Sequence, residues 1–383
     1  LNGPPQKFND DLLVTPRDRE LAADTFRDIL HVLDFPELRD LFSTYDVPAK
    51  RAKRWRRVMG SVAIILGVGA LLGASLALVN DEFPVQWPGY VAAASAIMGV
   101  FSLMLGSVGA LAGPSKRRWL CSRLMTERLR QFHFQTMVCR LPEILASMRD
   151  SVTRGKFLDD RRAWFAEYRL AYEGHLPAQL RTVLDDDAEE NFWLHPDRSR
   201  DSPLAAADAT LATVFSAYRL LRFEHQVQYA NYRLGTDEGL FSSSATRQLE
   251  LLRNVALLFI LIIFVSNLAL AALLGFGALF GSGPAAASAG AESGILTTTH
   301  MHVVIIWLFI GIVAMRTLEE GLQPAREVER YTRYRSSMVA LLRRFDAATD
   351  AREKVEIMRE AERAAYQEMR TFLRTHNDAR YVL

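Results

Sequence analysis

Charge is excluded from four long windows of this chain. Residues 58–80, 83–115, 254–291 and 293–315 contain no Asp, Glu, Lys or Arg, and together they hold 117 of the 383 residues. The 90 charged residues therefore crowd into the other 266, a local density of about 34% against the roughly 25% usual in soluble domains. Averaged over the chain, 50% hydrophobic, 23% charged and a net charge of +2 describe an ordinary soluble protein. The segregation excludes that reading, and with it a secreted disulfide scaffold and a wholly disordered chain. It points to a membrane protein with charged parts outside the lipid.

A hydrocarbon core about 30 Å thick needs roughly 20 apolar helical residues. Residues 58–79, 90–112 and 255–280 each meet that length, and 295–315 form a fourth candidate whose outer end is interrupted by TTTHMH. Four spans in two hairpins are expected. Their orientation follows from the flanking basic residues. Lys50, Arg51, Lys53, Arg54, Arg56 and Arg57 precede the first span, and Lys116, Arg117 and Arg118 follow the second. Arg247 and Arg253 precede the third, and Arg316 and Arg326 follow the fourth. The hairpin loops NDEFPVQWPG and 281–299 contain no Lys or Arg. Both termini and the middle segment are thus expected on the cytoplasmic side, where Cys121 and Cys139 would remain reduced. Trp55, Trp87 and Trp119 fall near expected membrane interfaces. The first 50 residues are too polar for a cleavable signal peptide, and a start at Leu1 rather than Met leaves room for residues upstream. With 40 Arg, 6 Lys and abundant Ala, the composition points to a GC-rich bacterial genome.

The charged parts read as helix throughout, so the fold class is all-α. Thr15 caps, Pro16 takes the first helical position and Asp18 favours the positive end of the dipole. Leu21, Phe26, Ile29, Leu30 and Leu33 follow near one face, Asp34-Phe35-Pro36 ends that helix, and Leu38, Leu41 and Phe42 mark a second short one. Residues 119–141, 157–182 and 204–234 are also helical in character, the last with Leu211, Phe215, Tyr218 and Leu221 at spacings of three and four. The acidic, turn-prone run 185–203 is expected to be a loop, without the alternation of a calcium site. In the tail, Tyr331, Tyr334, Met338, Leu341, Leu342 and Phe345 form one stripe, and Val355, Met358, Ala365, Met369 and Phe372 a second. The expected organisation is N-terminal helices over 1–57, a first hairpin over 58–113, a helical domain over 114–253, a second hairpin over 254–316 and C-terminal helices over 317–383.

Within the spans, small residues recur. Gly99, Gly106 and Gly113 continue a seven-residue series from Ala92, with Ser95 and Ser102 on a neighbouring line, and the first span offers Gly69 and Gly73. Small faces let helices approach closely in lipid, where packing replaces hydrophobicity as the driving force. The alternative is that the serine face lines an oligomeric pore. Ser266 and Asn267 near the middle of the third span need polar partners, either across helices or in a pore, so Ser95, Ser102, Ser266 and Asn267 are the pore-lining candidates. His300 and His302 lack the partners of a metal site. No P-loop, no Ser/His/Asp arrangement and no zinc pattern occurs, so neither an enzyme nor a cofactor is expected. The basic cluster at 50–57 suits phospholipid rather than nucleic acid.

Two segments carry a resemblance. Trp119, Arg123, Thr126, Glu127, Leu129, Arg130 and Phe132, directly after a hairpin, resemble the helix that follows the hairpin of bacterial SLATT-type membrane effectors. Arg222, Gln226, Tyr229 and Arg233, before the third span, are similar to the helix that leads into such hairpins, and Arg326, Arg330, Tyr331 and Tyr334 share the style. The resemblance covers about a third of the chain and departs from the family in having four spans where two are usual. It implies a homo-oligomeric, pore-forming effector of the bacterial inner membrane, acting in anti-phage defence and switched by a nucleotide signal or a sensor protein. The alternative is a non-conducting membrane scaffold that recruits a cytoplasmic partner.

Overall fold

The computed structural model describes residues 9–78, 89–111, 113–185, 192–196, 209–235, 244–280 and 298–378, and among them every regular element is helical. The chain divides into two compact units. One gathers Leu1–Lys53, Pro114–Asp237 and Arg326–Asp378; the other gathers Arg54–Gly113, Glu238–Ala325 and Ala379–Leu383.

The first unit, the body, is built from three segments that the uncharged windows separate in sequence. Helix α1 (Pro16–Thr25) starts as its residues dictate: Asp18 N donates to Thr15 Oγ1 and Thr15 N donates back to Asp18 Oδ2, a capping box with Pro16 at the first position. The apolar series that continues to Leu33 is broken after Thr25 into a 3₁₀ turn (Arg27–Ile29) and a short helix α2 (Leu30–Leu33). Helix α3 then runs from Pro36 to Leu78 through Pro48 without interruption, so the short helix expected at Leu38–Phe42 and the first apolar run are one element. Helices α5 (Gly113–Cys139), α6 (Leu141–Ser147), α7 (Ser151–Tyr172) and α8 (Leu176–Asp185) follow the first apolar pair. The single helix expected over 157–182 is divided at Glu173–His175, and Asp150 caps α7 by accepting from Val152 N and Thr153 N at 2.8 Å. Helix α9 (Ala209–Tyr218) passes through a π-helical turn, Arg219–Glu224, into α10 (His225–Leu234). Helices α13 (Pro324–Ala347) and α14 (Ala351–Asp378) complete the body, and both expected tail stripes supply buried residues to its core.

Helix α5 is enclosed almost all round. From Leu124 to Leu141 nearly every side chain is buried, and Phe132 lies among Phe165 (5.5 Å), Tyr168 (5.0 Å) and Phe35 (6.5 Å). Trp119, expected near a membrane interface, is buried in the body against Phe372 and His376.

The second unit contains the later part of α3, α4 (Tyr90–Leu111), α11 (Ala245–Phe280) and α12 (Thr298–Leu322). Among the described residues, three helices are long and apolar enough to cross a membrane: Pro36–Leu76, Tyr90–Ser107 and Ala245–Leu268, with mean hydropathies of 2.1, 1.7 and 2.2. The side chains of α12 are described from Val303 onward, over an uncharged stretch to Met315 that is followed by Arg316, Glu319 and Glu320. Apolar side chains face outward on all four helices: Ile65, Leu103, Leu261, Phe264 and Phe309 are each more than half exposed. Close backbone approach depends on glycine at two seams. A Cβ on Gly73 would lie 2.7 Å from Ser95 Cβ, and one on Gly311 would lie 2.5 Å from the Phe259 ring. Trp307 Nε1 donates to Ser75 Oγ at 2.6 Å, joining α12 to α3.

Candidate functional site

The chemistry of the body is concentrated in charged side chains that are largely withdrawn from solvent. Helix α5 presents Trp119, Arg123, Glu127 and Arg130 at spacings of four, four and three, which places them along one face. That face meets three others. Arg130 Nε donates to Asp11 Oδ2 at 2.6 Å, its Nη1 donates to Glu127 at 3.0 Å and its Nη2 donates to Asn9 Oδ1 at 3.1 Å. Glu127 also pairs with Arg123. Burial opposes ionisation of Glu127, but Arg123 and Arg130 outweigh it and hold its pKa down to about 2.

The π turn supplies the second face. An i→i+5 turn inserts extra residues and changes which side chains point inward; here it buries both Arg222 and Phe223, while the expected Leu221 is only half-buried. Arg222 Nε and Nη2 donate to the two oxygens of Glu362 at 2.7 and 2.8 Å, and the Tyr218 hydroxyl donates to Glu362 Oε1 at 2.8 Å. Both ions are essentially inaccessible, and the Arg222 guanidinium lies 4.6 Å over the Phe134 ring. Burial alone would lower the pKa of Arg222; Glu362 with Tyr334 and Tyr218 holds it above the usual arginine value. One turn on, the Tyr334 hydroxyl donates to Gln226 Oε1 at 3.1 Å, and the Tyr229 and Tyr331 hydroxyls meet at 3.3 Å.

A third group centres on Glu327 of α13. Arg233 Nη2 donates to it at 2.8 Å, with Lys53 at 3.9 Å and His376 at 3.6 Å. Burial raises the pKa of Glu327, yet His376, Lys53, Arg233 and Arg330 together hold it well below the carboxylate range. Arg330 donates to Glu368 at 2.5 Å and packs against the Tyr331 ring (4.4 Å) and the Phe372 ring (4.9 Å). Burial dominates at Glu368 and raises its pKa in spite of Arg330.

All six motif residues of the sequence reading, Trp119, Arg123, Glu127, Arg130, Gln226 and Tyr229, thus converge in the interior of one unit. The carboxylates that complete the lattice, Asp11, Glu327, Glu362 and Glu368, were not singled out. Glu362 had a readable signal: it stands four residues after Met358 and seven before Met369, a core position of the second tail stripe occupied by a charge. Among the described residues no group of three or more His, Cys, Asp or Glu is arranged to hold a metal, and both cysteines are buried thiols. Chemically, the lattice couples α3, α5, α10, α13 and α14 through ions that are costly to separate.

The pore-lining candidates divide. Ser95 and Ser102 are buried on the α4 side that faces α3; Ser95 Oγ donates to Ala92 O at 2.9 Å, and Ser102 Oγ donates across the seam to Ala63 O at 2.8 Å. A Cβ on Gly69 would lie 3.2 Å from Met98 Sδ, and one on Gly99 would lie 3.5 Å from Ala70 Cβ. Gly106 lies in α4, and the surroundings of Gly113 and the side chains of His300 and His302 fall outside the described residues. Asn267 is exposed on α11 and donates to Ile263 O of its own helix at 2.8 Å, while Ser266 beside it is half-buried. The loops 79–88 and 281–297 and most of the acidic run 185–203 lie outside the described residues. No family model, no curated protein and no solved structure matches this chain.

Proposed function

We propose that this chain is an integral membrane protein of the bacterial inner membrane with four spans in two hairpins and both termini cytoplasmic, and that it assembles as a homo-oligomer whose conduction is set by the helical body. The observation that carries the reading is the outward apolar surface of α3, α4, α11 and α12, uncharged and interrupted on α11 by the exposed amide of Asn267. Exposed apolar area on that scale is solvated by lipid, and a polar amide facing lipid is costly until a second polar group meets it. A second copy of α11 supplies that group. Because Ser95 and Ser102 are engaged within one chain, the pore-lining role falls to Ser266 and Asn267. The resemblance of the buried motif helices to SLATT-type effectors supports a role in anti-phage defence, with a nucleotide signal or a sensor protein acting on the body.

A non-conducting anchor is the second reading, favoured by the sealed α3–α4 seam. Planar-bilayer recording of the reconstituted protein separates them. Conductance that falls at least about tenfold in Asn267→Leu and survives in Ser102→Ala supports the pore; conductance indifferent to Asn267→Leu, or none in any lipid, supports the anchor.

A further inference from the structure

Between α13 and α14 the body carries a cavity of about 310 Å³, within the size range of small-ligand sites. Four arginines line it, Arg330, Arg333, Arg370 and Arg374, against one carboxylate, Glu368. The formal charge of the lining is therefore +3.

Arg330 distinguishes this cavity from a solvated basic face. Its side chain is 5% exposed, and among the described residues its Nε and Nη2 have no hydrogen-bond partner. The Tyr331 and Phe372 rings pack against the guanidinium, their centroids 4.4 and 4.9 Å from its carbon. Buried guanidinium donors without acceptors are costly, and an anion in the cavity would supply the acceptors. The other arginines are placed to help. Arg370 and Arg374 are fixed by donating their Nε to the Val183 and Leu184 carbonyls at the end of α8, at 3.4 and 3.2 Å. Arg333 is three-quarters exposed and paired with the equally exposed Glu329, an ion pair easily exchanged for a stronger one.

We propose that this cavity binds a phosphate group, independently of whether the assembly conducts. Planar guanidinium forks match phosphate oxygens bidentately, and a lining of +3 suits a group carrying two or more negative charges. A soluble phosphate and an anionic lipid headgroup share this chemistry, and the test separates the two.

The full chain in phosphatidylcholine nanodiscs would be titrated calorimetrically with inorganic pyrophosphate. Saturable binding is expected, weakened at least about tenfold in Arg333→Gln/Arg374→Gln, two exposed positions whose loss leaves the fold intact. Glu368→Gln, which removes the one carboxylate of the lining, is expected to tighten binding, and binding unchanged or weakened in that variant counts against the proposal. If pyrophosphate fails to bind but phosphatidic acid nanodiscs raise the melting temperature, and the double variant loses that rise, the ligand is a lipid headgroup. Neither effect, or effects unchanged in the double variant, overturns the proposal.

Discussion

Removing one partner of the Arg222–Glu362 pair should damage the body far more than removing both. Glu362 is fully buried and accepts three hydrogen bonds, two from Arg222 and one from Tyr218. Glu362→Leu leaves the Arg222 cation in the core with no carboxylate, beside the Phe134 ring and the Tyr218 hydroxyl, and breaking a buried pair this way costs about 3–5 kcal/mol. For a domain of this size that is a fall of roughly 6–20 °C in melting temperature. Arg222→Met/Glu362→Leu removes both ions and their desolvation cost. The Tyr218 hydroxyl keeps the Met358 carbonyl at 3.2 Å, so the double variant should lie within about 1.5 kcal/mol of the parent. The measurement is a double-mutant cycle by thermal unfolding in nanodiscs, with a coupling energy above about 2 kcal/mol expected. A single variant no worse than a surface change, or a double variant equal to the sum of the singles, refutes the reasoning.

Acid should act in two steps. His133 and His195 are buried, and burial first, then Arg161 at His133, lowers each to a pKa of about 4; at His195 a hydrogen bond to the Phe132 carbonyl works against this. The unfolded chain therefore binds more protons between pH 6.5 and 4, and stability on the order of 3 kcal/mol per histidine is lost as pH falls through that window. Glu127, depressed to about 2, contributes stability present above about 4.5 and lost as pH falls toward 2. Glu368 works with the opposite sign, since its raised pKa relieves a destabilisation as it protonates. A melting temperature that is flat or rising as pH falls from 6.5 to 4 contradicts this account. In the second unit, Gly73→Ala should destabilise the α3–α4 hairpin by about 1–3 kcal/mol because its Cβ meets Ser95 Cβ at 2.7 Å, whereas Gly99→Ala, at 3.5 Å from Ala70, should be tolerated. Detergent-induced unfolding of the two variants decides it, and equal effects count against the seam.

Patterns that depend on hydrophobic period were legible in the residues. The Thr15–Asp18 cap, the two tail stripes and three of the long apolar helices could be read directly. Helix α5 could not be placed, because burial is inferred from apolar content and α5 carries Arg123, Glu127, Arg128, Arg130, Gln131, His133 and Gln135. Its polar groups are paired inside the body instead of being solvated: Arg128 donates to Gln131 and to the Phe192 carbonyl, and Gln135 holds both Phe192 O and Leu194 N. Those partners lie up to 64 residues away, beyond the reach of a local pattern. The π turn escaped for a related reason: Arg219–Glu224 has ordinary helical composition, and the Glu362 that Arg222 pairs with lies 140 positions away. The motif helices drew notice through their Arg, Glu and aromatic spacing, but spacing alone did not show that those residues face inward.

The order in which the body's three segments leave the ribosome has a consequence for biogenesis. Asp11 precedes Arg130 in synthesis, so this arginine of α5 has its carboxylate already made when α5 emerges. Arg222 and Arg233 have no such early partner: Glu362 and Glu327 belong to α14 and α13, translated after both apolar pairs. Until then those cations lack their carboxylates, and burying them unpaired is costly. Completion of the body is thereby tied to the second apolar pair having been made, and a nascent chain that stalls between the two pairs is marked as unfinished by its own arginines.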